Sequence, residues 1–164
     1  YKTIILGTQT WMAENLAFKA INGCWEYDND QENTTYGYLY NWETAKIVCP
    51  SGWHLPSNDE FTTLTNFLGG DSIAGGNLKE KGIIHWENPN IEATNKSGFS
   101  SLPCGYWDII REKIMNVSKN GIWWSFTEFN KNSSCNLILG SGYKRAVRGK
   151  AAKTYGFSVR CIRN

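Results

Sequence analysis

The sequence predicts one α+β domain over residues 1–164, with two helices early and a mainly antiparallel sheet built late. Helical spacing of apolar residues is confined to two stretches before residue 70. From residue 80 onward, Gly or Asn separates short apolar runs at almost every junction. The 164 residues carry no internal repeat and no linker, and suffice to bury a sizeable core.

"YKTIILGTQTWMAENL" reads as an opening β-hairpin. Thr3, Ile5, Thr10 and Met12 alternate with Ile4, Leu6 and Trp11, and Gly7 supplies the turn. "CWEYDNDQENTTYG" follows as a polar, solvated turn. Its Asp28, Asp30 and Glu32 alternate as Ca²⁺ ligands can, but the glycine and closing glutamate of an EF-hand loop are missing. "YLYNWETAKIVC" sets Leu39, Trp42, Ala45 and Cys49 on one helical face, ended by Pro50. In "LPSNDEFTTLTNFLGG", Ser57 and Glu60 are spaced as a capping box. Phe61, Leu64 and Leu68 form the buried stripe, and Gly69 and Gly70 stop the helix.

After "GGNLKEKG" come the strand-like runs "GFSSLPCGYWD", "KIMNV", "GIWWSFTEF", "NLILG" and "GFSVRCI". Strand alternation sends Trp123 and Trp124 to opposite faces, one into the core and one near a recognition face. "SGYKRAVRGKAAK", residues 141–153, keeps neither helix nor strand period, and five of its thirteen residues are Lys or Arg.

Residues 1–128 hold nine Lys/Arg and all fifteen Asp/Glu, whereas residues 129–164 hold eight Lys/Arg and no acid. Such asymmetry invites a nucleic-acid reading. However, strand-like segments interrupt the cations, so a basic face balanced by an acidic one is expected, with no nucleic-acid partner. Eight Trp, eight Tyr and seven Phe suit broad sheet faces and rigid recognition surfaces. No apolar run approaches the roughly 18–20 residues of a membrane span. The chain starts at Tyr1 with neither a start methionine nor a signal peptide, which fits the loss of an export sequence. The cysteines at 24, 49, 104, 135 and 161 form no C-x-x-C, and His54 and His85 supply no such partner, so no metal site is expected. Dispersed cysteines in a loop-rich chain point to disulfides and export, and an odd number leaves one thiol over.

Four motifs in order, "TQTWMAENL", "CPSGWHLPSNDEFTTLTNFLGG", "GIWWSFTEF" and "YGFSVRCIRN", closely resemble the Fibrobacter succinogenes major paralogous domain across essentially the whole chain. The resemblance implies exported proteins of Bacteroidetes and Fibrobacter, often lipoproteins. It also implies a C-type lectin-like fold in the branch of the formylglycine-generating enzymes, where "RLPTEAEWE" takes the place of "HLPSNDEFT". In that fold the terminal strands lie together, two helices flank a twisted sheet, and a long loop-rich region carries recognition. A bridge between Cys49 and Cys161 is implied too, closing over 100 residues. Cys104 stands where relatives have Gly, which makes a second bridge to Cys135 an expectation, with Cys24 the odd one. Relatives read "WWSST" where Trp124-Ser125-Phe126-Thr127 stands, and end in Asp where Asn164 stands.

Catalysis is not expected. Formylglycine-generating enzymes use a close cysteine pair, whereas Cys135 and Cys161 are far apart in sequence. His54 in "GWHLP" has a structural hydrogen bond as its default role, and the helix dipole accounts for Asp59 and Glu60. A ligand-binding or adhesion module on the cell surface is expected instead. Residues from Glu128 to Gly156 are rich in Asn, Ser, Gly, Lys and Tyr, the residues of adaptable paratopes. The expected contacts are Phe129, Asn130, Asn132, Asn136, Ser141, Tyr143, Lys144, Arg145 and Arg148. The placement resembles the variable proteins of diversity-generating retroelements, whose Asn codons mutate at adenines. The partner is expected to be a surface protein or glycan, with a lipid anchor on the precursor. "ENPN" at 87–90 resembles part of a Ca²⁺-dependent sugar site, but Trp-Asn-Asp is missing, so no cofactor is expected. A structural subunit of a pilus tip or envelope assembly is the alternative, favoured by an unpaired Cys24 or an exposed edge strand.

Overall fold

Gly7, with φ of 62°, turns the opening hairpin, so that strand β1 (Thr3–Leu6) pairs antiparallel with β2 (Gln9–Met12) in the register Leu6↔Gln9. The computed structural model describes residues 1–164 and has an α+β fold with an open, mixed sheet. The C-terminal strand β12 (Ile162–Arg163) returns beside β2 and is flanked on its other side by β5 (Trp53–His54). These four strands form the first sheet, in the order β1-β2-β12-β5.

The second sheet is built on a long hairpin, β8 (Asn120–Asn130) with β9 (Ser133–Gly140), to which β10 (Val147–Ala152) adds as an edge. On the other side of β8, β11 (Phe157–Ser158) pairs parallel, followed by β4 (Leu39–Tyr40) and β3 (Cys24–Trp25). A separate hairpin joins β6 (Tyr106–Asp108) to β7 (Lys113–Met115).

Trp123 and Trp124 do point to opposite faces of β8, but neither is exposed: both are fully buried, in different cores. Trp123 packs with Trp11, Phe61, Phe99 and Leu137, and Trp124 with Tyr40, Trp42, Phe157 and Val159. A strand buried on both faces cannot slip by one residue without exchanging the contents of two cores.

Four helices form rather than two. The expected capping box is present in α3 (Asn58–Phe67), with Ser57 and Glu60 bonded reciprocally. Residues 39–49 are not one helix, because Leu39 and Tyr40 pair with β11 and β3, leaving only α2 (Trp42–Ala45) behind the N-cap Asn41. The stretch read as a solvated turn contains α1 (Asp30–Tyr36), capped by the Asn29 side chain. Helix α4 (Asp71–Leu78) follows Gly69 and Gly70 despite two glycines inside it. A Cβ on Gly75 would overlap the Arg145 carbonyl and one on Gly76 the Glu92 carbonyl, so close packing overrides propensity here.

Cys49 and Cys161 are disulfide-bonded, with Cα atoms 5.9 Å apart. Cys104 and Cys135 are not bonded, contrary to expectation. The Cys104 thiol is buried against Tyr27, Tyr36 and Leu39 and accepts from Asn15 Nδ2, whereas Cys135 lies on β9 opposite Lys150. Burial pushes the Cys104 thiol up to about 11, so it is an inert core residue. His54 bridges Glu60 Oε1 at 2.8 Å and Asn164 Oδ1 at 2.7 Å, the structural role expected of it.

The two terminal motifs meet at a buried polar knot. Asn15 Oδ1 accepts from Trp123 Nε1 (2.8 Å) and from Arg160 Nη2 (2.7 Å) and Nε (3.1 Å), while Asn15 Nδ2 donates to the Tyr36 carbonyl. Arg160 also donates to the Phe99 carbonyl and lies 4.2 Å from the centre of the Phe99 ring. Burial pulls its guanidinium down to about 9, and no carboxylate pairs with it. Asn15→Leu should therefore cost about 3–5 kcal/mol in urea unfolding, as removal of one partner strands a buried charge. A change within about 0.5 kcal/mol would mean that the knot relaxes without loss. The Cys49→Ser/Cys161→Ser pair should lose about 4–5 kcal/mol, the chain-entropy value for so long a loop. An unchanged urea midpoint would contradict this.

Candidate ligand-binding surface

The β8–β9 turn is the two-residue connection Lys131–Asn132, closed by Asn130. Its Oδ1 accepts from the backbone N–H groups of Asn132 and Ser133 at 2.9 Å and from the Ser133 hydroxyl at 2.8 Å. The register shifts twice in β8, between Trp124 and Glu128 and between Glu128 and Asn130, so the tip departs from the regular sheet. There Phe126 and Phe129 are 54% and 52% exposed. The Lys150 ammonium sits 3.6 Å from the centre of the Phe129 ring. Phe126 lies 6.5 Å from the ring of the fully buried Trp42, which has the ammonium groups of Lys46 and Lys153 at 4.1 and 4.2 Å. Lys153 is also held by Glu128 at 2.8 Å, and that contact leads the influences keeping the Glu128 carboxyl below its ordinary value. The tip thus presents aromatic faces and cations that a fixed hydrogen-bond frame holds in place.

The nine expected contact residues do not converge. Phe129, Asn130 and Asn132 are exposed at the tip. Ser141, Tyr143, Lys144 and Arg145 lie beyond the other end of β9, about 23 Å away at 3.3 Å per residue. Ser141 is buried. Its N–H donates to Lys119 O and its hydroxyl to Glu87 Oε1, so it belongs to the frame. Tyr143 is half-buried in the space that Gly140 leaves free, and Arg145 lies over its ring. Lys144 pairs with Glu92 at 3.1 Å. Arg145 alone of this loop is exposed and without a carboxylate. Arg148 is half-buried under α3, 5.6 Å from the Phe61 ring and 3.1 Å from Thr65 Oγ1, and burial lowers its guanidinium below the ordinary value. Asn136 is only 2% exposed, in the middle of β9.

Lys79, which sequence reasoning passed over, explains why residues 141–146 are ordered. Its fully buried ammonium donates to the carbonyls of Ile91 (3.1 Å), Gly140 (2.9 Å) and Tyr143 (2.9 Å). The Gly76 N–H bonds Lys144 O, and the Ala146 N–H bonds Asp71 O, so α4 grips this loop along its length. Nothing in "GGNLKEKG" marks Lys79 as buried, since the carbonyls that hold it are distant in sequence. The acidic stretches supply no converging cage: no group of three His, Cys, Asp or Glu side chains could hold a metal ion. Glu87 is engaged by Ser141, and Asn90 donates to the carbonyls of Glu80 and Gly82. A concavity of about 620 Å³ lies elsewhere, among Leu16, Phe18, Ile21, Ile47 and Val48, and touches none of the nine. No helix is long and apolar enough to cross a membrane.

These features define an α+β domain that carries a stiff aromatic and basic hairpin tip on an open sheet. The model of the Fibrobacter succinogenes major domain matches residues 4–163, and the chain belongs to that family. No curated protein and no solved structure matches it.

Lys79→Met should destabilise the domain by about 2 kcal/mol or more, since buried carbonyls lose their donor. Burial pulls the Lys79 ammonium down from 10.5 to about 8. Between pH 8 and 10.5 the unfolded chain then binds the extra proton, so wild-type stability rises relative to Lys79→Met as pH increases through that window. Urea unfolding of both proteins across that range measures the difference. A constant difference would show that Lys79 titrates normally.

Proposed function

We propose that this domain is an exported, surface-displayed ligand-binding module without catalytic activity, and that the β8–β9 tip is its principal contact. The observation that carries this reading is the pair of half-exposed phenylalanines at the tip, Phe129 under Lys150 on one face of the sheet and Phe126 beside the buried Trp42, with Lys153 over its ring, on the other. Large rigid aromatics with adjacent cations make binding hot spots at low entropic cost. Asn130 and Asn132 complete the tip, while Tyr143, Lys144 and Arg145 offer a second, separate patch. The exposed members of both patches tolerate substitution, which suits diversification of the kind seen in retroelement variable proteins. Ser141 and Arg148 do not share that freedom, because they hold Glu87 and pack under α3, and the buried Asn136 is not part of either patch.

A C-type lectin-like architecture of the formylglycine-generating branch is part of the same reading. It is supported by the pairing of β2 with β12 and by the bridge from just beyond α2 to Cys161. Attachment to the outer surface through a lipid anchor belongs to it as well. The alternative, a structural subunit of a pilus tip or envelope assembly, is favoured by β10 as an open sheet edge and by the unpaired, half-buried Cys24.

Binding of the fluorescently labelled domain to glycan and protein arrays tests the module. Phe129→Ala/Lys150→Ala should lose about tenfold or more in retention, with the melting temperature unchanged within about 2 °C. Raising the salt from low to physiological should weaken the residual electrostatic part. Unaltered retention by the double variant would remove the tip from the binding surface.

A further inference from the structure

A second feature on the large sheet has a chemistry of its own. Tyr106, Tyr155 and Phe157 wall a groove of about 240 Å³ whose remaining lining is Ile122 and Ala151. The ring centres lie 6.0–6.3 Å apart, and Phe157 is backed by Trp124 at 4.3 Å. None of the five lining residues is charged. The volume falls below the roughly 300–1,000 Å³ of a drug-sized pocket and suits a single ring.

Register fixes what lies beneath the five lining residues. Ile122 stands opposite Ile138 and Val147, Trp124 opposite Asn136 and Gly149, and Ser134 opposite Ala151, so all of them share one face. Asn136 therefore sits between the rows that supply Ile122 and Ala151. It is 98% buried by its 2% exposure, and its Oδ1 has no hydrogen-bond donor. The absence of a side chain on Gly149 leaves room for that amide, because a Cβ there would overlap Asn136 Oδ1. A buried acceptor without a donor is costly, and its retention calls for a function.

We propose that this groove binds one neutral pyranose ring of a surface glycan, a refinement that rests on the module reading above. The polarised C–H groups of a sugar face pack on the electron-rich faces of Tyr155, Tyr106 and Phe157. A sugar hydroxyl inserted between Ile122 and Ala151 supplies the donor that the covered Asn136 Oδ1 lacks, and the tyrosine hydroxyls serve the ring's polar edge. Anionic sugars gain no cation here, and a cationic ligand gains no carboxylate. The groove adjoins the tip through the chain itself, since Lys153, between Ala151 and Tyr155, donates its N–H to Asn132 O. A glycan chain with one ring in the groove reaches the tip by continuing along this segment.

Methyl β-glucoside, methyl β-galactoside and methyl α-mannoside, titrated into the intact domain and followed by backbone amide NMR shifts, test the site. Saturable shifts at residues 122, 136, 151 and 155–157 with at least one glycoside are expected. Asn136→Leu and Tyr155→Ala should each weaken that binding by about tenfold. Phe129→Ala should leave it unchanged. Asn136→Leu should also melt at or above the wild-type temperature, because it removes an unsatisfied buried acceptor, and it keeps the test decisive if Tyr155→Ala fails to fold. Failure of all three glycosides, wild-type affinity in Asn136→Leu, or shifts confined to the tip would each overturn the groove assignment. Array retention sensitive to Phe129→Ala/Lys150→Ala would still stand in that case. Glycoside binding in the groove without any tip dependence on the arrays would remove the tip and keep the groove.

Discussion

The fold depends on a guanidinium that has no carboxylate. Arg160, fully buried between Phe99 and Trp123, is held by the Asn15 side-chain carbonyl and by the Phe99 backbone carbonyl. An uncompensated charge at this depth survives only if its acceptors are fixed in advance. Asn15 is fixed because its Nδ2 is committed to Tyr36 O and Cys104, and its Oδ1 is shared with the Trp123 indole. One amide thereby couples the segment after β2, the end of α1, the centre of β8 and the chain leading into β12. Both cores meet around it, since Trp123 belongs to one and Val159 and Cys161 to the other.

The same economy governs the loop after β9. Lys79 satisfies three carbonyls from two different loops, and the glycines of α4 let the backbone of Lys144 and Arg145 approach the helix directly. The basic stretch 141–153 is therefore divided by role. Its first half is bound to α4 through backbone atoms, with only Arg145 left exposed and unpaired. Its second half, β10, is a sheet edge whose Lys150 turns to the tip. The cations thus serve two ends: core packing at Arg148 and aromatic contact at the tip.

Local patterns made the first hairpin, the capping box of α3 and the alternation of Trp123 and Trp124 legible, because each is decided by neighbours in sequence. The disulfide followed from the family resemblance rather than from spacing. Helix α1 was missed although Asn29 and Glu32 are spaced as a helix start, because no apolar stripe follows them. Helix α4 was hidden by Gly75 and Gly76, whose reason lies in carbonyls distant in sequence. Leu39 and Tyr40 fit a helical face equally well, and only their pairing with β11 decides for a strand. At the tip, polarity agrees with exposure for Asn130 and Asn132. It could not separate them from Asn136 and Ser141, which are polar and buried, nor bring Tyr106 and Tyr155 together from two different parts of the chain.

The bridge between Cys49 and Cys161 has a mechanical meaning. Tension entering from the C-terminal side can peel β12 away from β2 and β5 only as far as Ile162, since the next residue back is covalently tied to the segment after α2. Beyond that point the load bypasses the hydrogen bonds of the second sheet and passes through sulfur into the N-terminal half. The strands that carry the tip and the groove, β8 to β11, all lie inside this covalent loop. The sheet from β8 to β11 thereby stays in register under a pulling force that would otherwise unzip it from the end.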